Sequence, residues 1–243
     1  MTLRLAMWSG PRNISTAMMR AWENRTDCVV VDEPFYACYL GSTGLEHPMR
    51  DEIMQVQSSA WEEVANQLSH GQEGVDIYYQ KQMTHHMLKN IDLNWTKNLK
   101  HCFLIRDPFE VVNSYCEKME TISVEDIGIV RQWQLYQDIS AITEQKIPVI
   151  DSAQVLKHPE KVLKAVCAQF SIPFSTRMLQ WPPGRRESDG VWASHWYQVV
   201  ERSTNFAPYK ERIIKLTNEQ QEVAEKSVEA YENMLDRSIL LLN

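Results

Sequence analysis

Five short apolar runs rich in β-branched and aromatic residues punctuate the first 150 positions, at 3–8, 28–31, 75–79, 101–105 and 147–150. Stretches of helical period separate or follow them, at 15–25, 52–68, 109–118, 124–143, 159–170 and 218–241. Strands this short and this continuously apolar suit a sheet covered on both faces, and their alternation with helices predicts a parallel one. The expected fold class is therefore α/β: three layers, a central parallel β-sheet flanked by helices, built as one domain over 1–243. In such sheets ligands sit beyond the carboxyl ends of the strands. The residues just after 8, 31, 79 and 105 are where chemistry is sought.

The first of these segments reads Ser9-Gly-Pro-Arg-Asn-Ile-Ser-Thr16. It turns a strand into a helix that opens on Ser15 and Thr16, a place where backbone amides and the helix dipole favour an anion. Arg12 adds fixed, bidentate charge. The spacing is not the GxxxxGK[ST] of a nucleotide hydrolase. After the second run come Asp32 and Glu33, adjacent carboxylates able to supply a general base or simply to cap a turn. After the third come Lys81, His85 and His86, residue types for acid/base work and charge stabilisation. The two histidines are adjacent, so their rings point apart, and no shared metal is expected. After the fourth, Asp107 and Pro108 fit the cap and first position of a helix, with Arg106 before them and Ser114 about two turns along. Together Arg106 and Ser114 could grip a second phosphate. A loop at 184–192 carries Arg185 and Arg186, and Thr217 with Gln220 has capping-box spacing before the last helix.

The remaining composition narrows the partners. A net charge of −7 disfavours a nucleic-acid binder. No apolar run reaches the length of a membrane span, and the start of the chain lacks a signal-like segment, so a cytoplasmic protein is expected. The five cysteines show no CxxC spacing and read as small buried hydrophobes rather than as zinc ligands or disulfides.

Taken in order, a Pro-basic-x-x-Ser-Thr loop, an Arg-Asp-Pro with Ser eight residues after the Arg, and a late Arg-Arg…Gly-x-Trp loop resemble the superfamily of sulfotransferases that use 3'-phosphoadenosine-5'-phosphosulfate (PAPS). The resemblance runs over about 3–195. The stretches WSGPRNISTAMMRAWENR, DEPFY, MTHHM and ASHWYQVVERSTNF are similar to a bacterial-type sulfotransferase-like subgroup, whose members are sometimes labelled branched-chain aminotransferase-like. An aminotransferase would need a Schiff-base lysine, a pyridoxal phosphate site and a larger catalytic domain.

The resemblance implies a P-loop NTPase-like fold and transfer of a sulfuryl group from PAPS to a hydroxyl or amine of a small molecule, leaving PAP, with no metal. It implies a 5'-phosphosulfate held by Pro11, Arg12, Asn13, Ile14, Ser15 and Thr16. It implies a 3'-phosphate on Arg106 and Ser114, helped by Arg185 or Arg186, and an adenine contact at Trp192. Glu33 or His85 would be the base, with His86 behind them, and Arg12 and Lys81 would stabilise charge. Arg12 and Ile14 stand where the family usually has Lys and Gly. Residues 35–50 and 181–196 would wall the acceptor pocket, and the aromatics Tyr36, Tyr39, Trp192, Trp196 and Tyr197 would suit an apolar or cationic small molecule. Two other readings are open: a P-loop kinase or NTPase with Asp32 as its metal carboxylate, and a PAP-binding module without catalysis. The oligomeric state is left open, a homodimer included.

Overall fold

The computed structural model describes residues 2–119, 121–211 and 213–239. Among these residues five strands form one all-parallel sheet: β1 (Leu3–Ser9), β2 (Cys28–Asp32), β3 (Ile77–Met83), β4 (Lys100–Ile105) and β5 (Val149–Asp151), in the order β2-β3-β1-β4-β5. The helices are α1 (Ser15–Glu23), α2 (Tyr36–Thr43), α3 (Arg50–Val56), α4 (Trp61–His70), α5 (Pro108–Cys116), α6 (Val124–Ile127), α7 (Ile129–Thr143), α8 (Ser152–Lys157), α9 (Pro159–Gln169), α10 (Ala193–Trp196), α11 (Gln198–Glu201) and α12 (Asn218–Leu235).

Period-two alternation sends neighbouring residues of each strand to opposite layers. Leu5 and Met7 of β1 pack with Tyr79, Cys102 and Leu104 beneath α1 and α9. Ala6 and Trp8 pack with Tyr78, Phe103 and Val149 beneath α4, α7 and α12. The whole central stretch from Leu5 to Trp8 is inaccessible, as the apolar runs require. A third cluster, around Tyr36, Leu40, Trp192 and Tyr197, joins α2 and α3 to α10 beyond the carboxyl edge of the sheet. The five cysteines are free thiols, and Cys38, Cys102 and Cys167 are buried.

Several boundaries differ from expectation. The third strand does not end at 79 but runs to Met83, so Lys81 lies inside it rather than in a loop. Its polar half, Gln80-Lys-Gln82, is tolerated because β1 and β2 supply ladders on both sides and the side chains find partners, Gln80 Nε2 donating to Leu68 O at 2.8 Å. The helix expected over 52–68 is two helices, parted at 57–60. The one over 124–143 is broken at Gly128, whose φ of 65° lies in the left-handed region. The capping boxes at Thr217/Gln220 and Ser123/Asp126 are both formed. The last helix ends at Leu235; positions 240–241 of its expected range lie outside the described residues.

From β1 the chain travels outward to β2, returns through β3, and crosses to β4 on the other side of β1. The loops after β1 and β4 therefore flank the point where the winding reverses, the standard place for a ligand in such sheets. Gly10 opens the first of these loops against the backbone of α6, where a Cβ would stand 2.6 Å from the Ile127 carbonyl oxygen. Gly10→Ala should cost about 1–3 kcal/mol of stability through that clash, read as a lowered midpoint in urea unfolding; an unchanged midpoint would show that the loop yields freely.

Candidate active site

The loop after β1 holds two non-glycine residues in left-handed backbone, Arg12 (φ 57°) and Ile14 (φ 48°). For a β-branched residue this is strained, and strain of this kind gathers at functional sites. It persists because the loop is over-determined. Ile14 packs against the core beneath α1. Asn13 is buried and its Nδ2 donates to Leu104 O at 2.5 Å. Arg106 donates through a guanidinium nitrogen to the Arg12 carbonyl at 2.6 Å.

Ile14 is the N-cap of α1, and no side chain caps that helix. The amides of its first turn are left for an anion. The contrast with α5 is direct: there Asp107 accepts from the Phe109 amide at 2.8 Å and the Glu110 amide at 3.2 Å, with Pro108 at the first position, so that end is closed by the protein's own carboxylate. Arg12 Nε donates to Ser114 Oγ at 3.1 Å. Arg106 Nε is paired with Glu110 at 2.9 Å. Arg12, Arg106 and Ser114, drawn from the loop after β1, the end of β4 and the body of α5, are thus one cluster at the switch point. Ser15 and Thr16 open α1 beside them.

The late arginines are elsewhere. Arg186 donates to the Pro182 carbonyl at 2.7 Å and its Nε stands 3.9 Å from Glu23, at the opposite end of α1 from the loop, while Arg185 is exposed. The expectation that either joins Arg106 and Ser114 is not met in this conformation, because Glu23 and Asp189 hold the loop down: Asp189 bonds Arg20 at 2.6 Å and receives the Arg186 amide at 2.8 Å. Trp192, expected against adenine, is 1% exposed. Its ring is sealed edge-on against Tyr36, and its Nε1 donates to Tyr197 Oη at 3.2 Å. No face of the indole is open to a base.

On the other side of β1, the ends of β2 and β3 carry a buried charge cluster. The register sets Asp32 opposite Lys81. Lys81 Nζ donates to Asp32 Oδ1 at 2.9 Å, Glu33 Oε1 at 2.6 Å and Tyr197 Oη at 2.5 Å. Burial alone would release the lysine proton; the two carboxylates outweigh it and raise its pKa. All three ammonium hydrogens have acceptors, so Lys81 holds the cluster together rather than reaching a substrate. Asp32 is likewise occupied, by Lys81, Tyr197 and the Gly190 amide at 3.3 Å, and is not the open metal carboxylate of a nucleotide hydrolase. Among the described residues no group of three or more His, Cys, Asp or Glu is arranged for a metal.

Glu33 sits in left-handed backbone (φ 42°), pinned by its amide to Lys81 O at 3.0 Å and by Gln57 on its carbonyl at 3.2 Å. Burial raises its carboxyl pKa, Lys81 pulls it back, and Asp32 pushes it up again; the net direction is upward. One cation faces two carboxylates, so the cluster keeps an unbalanced negative charge when both are ionised. Glu33 Oε2 faces His86 Nε2 at 3.9 Å. The His86 ring is stacked by Tyr36 (centroids 4.3 Å) and Tyr39 (5.0 Å), and both its nitrogens are buried without a hydrogen-bond partner. His85 is half-buried beside it, and its Nδ1 is also enclosed and unpartnered. Thr84 ties this turn to the end of β1 at Ser9 O and to the break between α6 and α7 at Gly128 O. Sequence reasoning placed Tyr197 only as a pocket aromatic. Its role as the hydroxyl at the centre of the cluster had no spacing signal, since it arrives from 165 positions beyond Asp32.

A family model, the sulfotransferase domain, matches residues 3–238. The chain belongs to this family. It is 34% identical over 203 residues to branched-chain-amino-acid aminotransferase-like protein 1 of Arabidopsis thaliana, covering 84% of this chain and 36% of that protein. To protein 2 of that name, also from Arabidopsis thaliana, it is 31% identical over 200 residues, covering 82% and 35%. The chain thus spans about a third of the length of the curated relatives it matches. Among solved structures, the sulfotransferase domain from the curacin biosynthetic pathway superposes with a TM-score of 0.55 at 14% identity, over 93% of this chain and 97% of that one. A sulfotransferase from Alicyclobacillus acidocaldarius gives 0.54 at 12% identity over 98% of both. These likenesses carry the three-layer fold.

Burial pulls the His85 pKa down to about 3 and that of His86 well below its ordinary value, with the neighbouring imidazoles and Lys81 adding to the effect. Folded rings that refuse a proton stabilise the fold fully above pH ~6.5 and lose that contribution as the pH falls below it. For His86, 1% exposed, the loss approaches about 1.4 kcal/mol per pH unit below pH ~6. Urea unfolding between pH 7 and 4.5 should show His86→Phe losing stability less steeply than wild type by this amount; parallel slopes would mean that the folded ring takes up the proton.

Proposed function

We propose that the protein transfers the sulfuryl group of PAPS to a hydroxyl of a small-molecule acceptor, with Glu33 as general base. The observation that supports this most is the joining of Arg12, Arg106 and Ser114 beside the uncapped start of α1. The donor set fits a nucleotide bearing anionic groups at two positions. Backbone amides, Ser15 and Thr16 suit one; Arg106 and the Ser114 hydroxyl, whose proton remains to be donated while its oxygen accepts from Arg12, suit the other. Asn13 Oδ1, buried and unpartnered, is the remaining polar atom of the loop.

PAPS supplies the sulfuryl group and the leaving nucleotide. The α1 amides and Arg12 hold the charge that develops on the departing oxygen. Arg12 does so as fixed charge, since a guanidinium does not give up its proton. Glu33 takes the proton of the attacking hydroxyl. Burial raises its carboxyl pKa, and the carboxylate is accordingly a stronger base than a solvated one. His86, neutral and 3.9 Å away, and His85 present nitrogens that can orient the acceptor. Lys81 and Asp32 keep Glu33 in place. The aromatic walls of Tyr36 and Tyr39 suit a flat or apolar acceptor.

Two measurements test this. Arg106→Ala should weaken PAP binding in calorimetry by about 10- to 100-fold, the value of charge-assisted hydrogen bonds; unchanged affinity would remove Arg106 from the nucleotide site. With labelled PAPS and a panel of phenol, alcohol and amine acceptors, Glu33→Gln should lower kcat by about 10²–10⁴-fold with PAP affinity within twofold of wild type. Full turnover would rule Glu33 out as base, and PAP binding without transfer to any acceptor would select the binding-module reading.

A further inference from the structure

Tyr197 Oη is the one group that touches every charged member of the buried cluster. It accepts from Lys81 Nζ at 2.5 Å and from Trp192 Nε1 at 3.2 Å, lies 2.7 and 2.9 Å from the two Asp32 oxygens, and stands 3.4 Å from Glu33 Oε1. A phenol has one proton and two lone pairs. Lys81, Trp192 and the Thr16 hydroxyl of α1 share the lone pairs and Asp32 takes the proton, so the hydroxyl is saturated. Lys81 is saturated too, by Asp32, Glu33 and Tyr197. Neither can turn toward a new partner without breaking a bond in a nearly water-free site.

We propose that Tyr197 is a positioning residue for Glu33: by donating to Asp32 while accepting from Lys81, it divides the single ammonium between two carboxylates and leaves Glu33 bound at Oε1 with Oε2 free toward the acceptor. This rests on the reading of Glu33 as base. Without the hydroxyl, Asp32 loses a donor that offsets its charge and draws more of Lys81 to itself. Glu33 then faces a less compensated like charge, which favours its protonated form. The titratable and charged groups facing Glu33 are Asp32 from β2, Lys81 from β3, His86 from the turn after it, Tyr36 from α2 and Tyr197 itself; Arg20 of α1 acts on Asp32 from behind. None of the others touches both carboxylates and the ammonium.

The test is the titration of the Glu33 carboxyl, followed by NMR in protein carrying ¹³C-carboxyl glutamate, with the resonance assigned by its absence in Glu33→Gln. Tyr197→Phe keeps the ring that Lys81 Nζ overlies at 4.9 Å and removes the hydroxyl. Its Glu33 midpoint should move up by on the order of one pH unit; an unmoved midpoint overturns the inference, because a tyrosine that only fills space would leave the titration alone. If Tyr197→Phe does not fold, Asp32→Asn carries the same test with opposite sign: removing the like charge should move the midpoint down, and no movement overturns the inference. The two readings separate cleanly. Glu33→Gln with full turnover sinks the base assignment whatever Tyr197→Phe does. Glu33→Gln without turnover, together with an unmoved Glu33 midpoint, sinks the positioning role alone.

Discussion

One buried ammonium serves two carboxylates at the carboxyl edge of the sheet, and much of the site follows from that imbalance. An isolated Lys81 in this interior would cost several kcal/mol in lost hydration. It is tolerable only because β2 and β3 run parallel in a register that sets Asp32 beside it, and because Glu33 turns through left-handed backbone to bring a second carboxylate to the same nitrogen. The strain at Glu33 is the cost of that turn, held by the Lys81 carbonyl and by Gln57. A single carboxylate would have neutralised the lysine and left nothing basic. Two, when both are ionised, leave one negative charge in excess in a poorly hydrated place, which is why the Glu33 carboxyl pKa is pushed up.

The strands were legible because burial on both faces writes itself as apolar runs, and four of the five were placed to within two residues at each end. The carboxyl half of β3 was not, because Gln80 and Lys81 are polar residues buried with partners from three other segments, at Leu68, Asp32 and Tyr197, and Gln82 bonds Gln80 beside it. Local pattern carries no trace of partners that far away. The same limit applies to the helix breaks. Gly128 is a visible signal for one, yet the parting of α3 from α4 depends on Gln57 reaching back to Ala37 and Glu33. That the loop after β1, Arg106 and Ser114 come together was legible from their order along the chain. Trp192 and the paired arginines were assigned to the nucleotide by position alone, and the fold gives them other neighbours. Asp189, which anchors that loop on Arg20, has no signature in sequence.

The two helix starts beyond β1 and β4 divide their labour by capping. Asp107 fills the end of α5 with a carboxylate, so that helix needs no anion and serves as a rigid mount for Ser114 and Glu110. The start of α1 has only Ile14 before it, a residue that cannot cap. Arg106 acts twice at this junction: it holds the Arg12 carbonyl, which fixes the strained loop, and it pairs with Glu110, which keeps its guanidinium at the mouth of the site. A lysine could not make both contacts in one plane, as the fork of a guanidinium does. That Arg12 replaces the lysine usual in related loops is consistent with the same geometry, since its Nε reaches Ser114 on a different element.

The site is therefore cationic on the β4 side of β1 and anionic on the β3 side, with the first turn of α1 between them. Sulfuryl transfer needs this polarity: negative charge accumulates on the leaving nucleotide while a proton must be drawn from the attacking oxygen. The separation would collapse if Lys81 were free to swing toward the anion site or if Glu33 were free to pair with Arg12. Tyr197 opposes the first by occupying the third hydrogen of Lys81, and Thr16 of α1 lies against the same hydroxyl. The helix with the uncapped first turn and the cluster that holds Glu33 thus meet at one oxygen atom, which ties the spacing of the two halves to the packing of Tyr197.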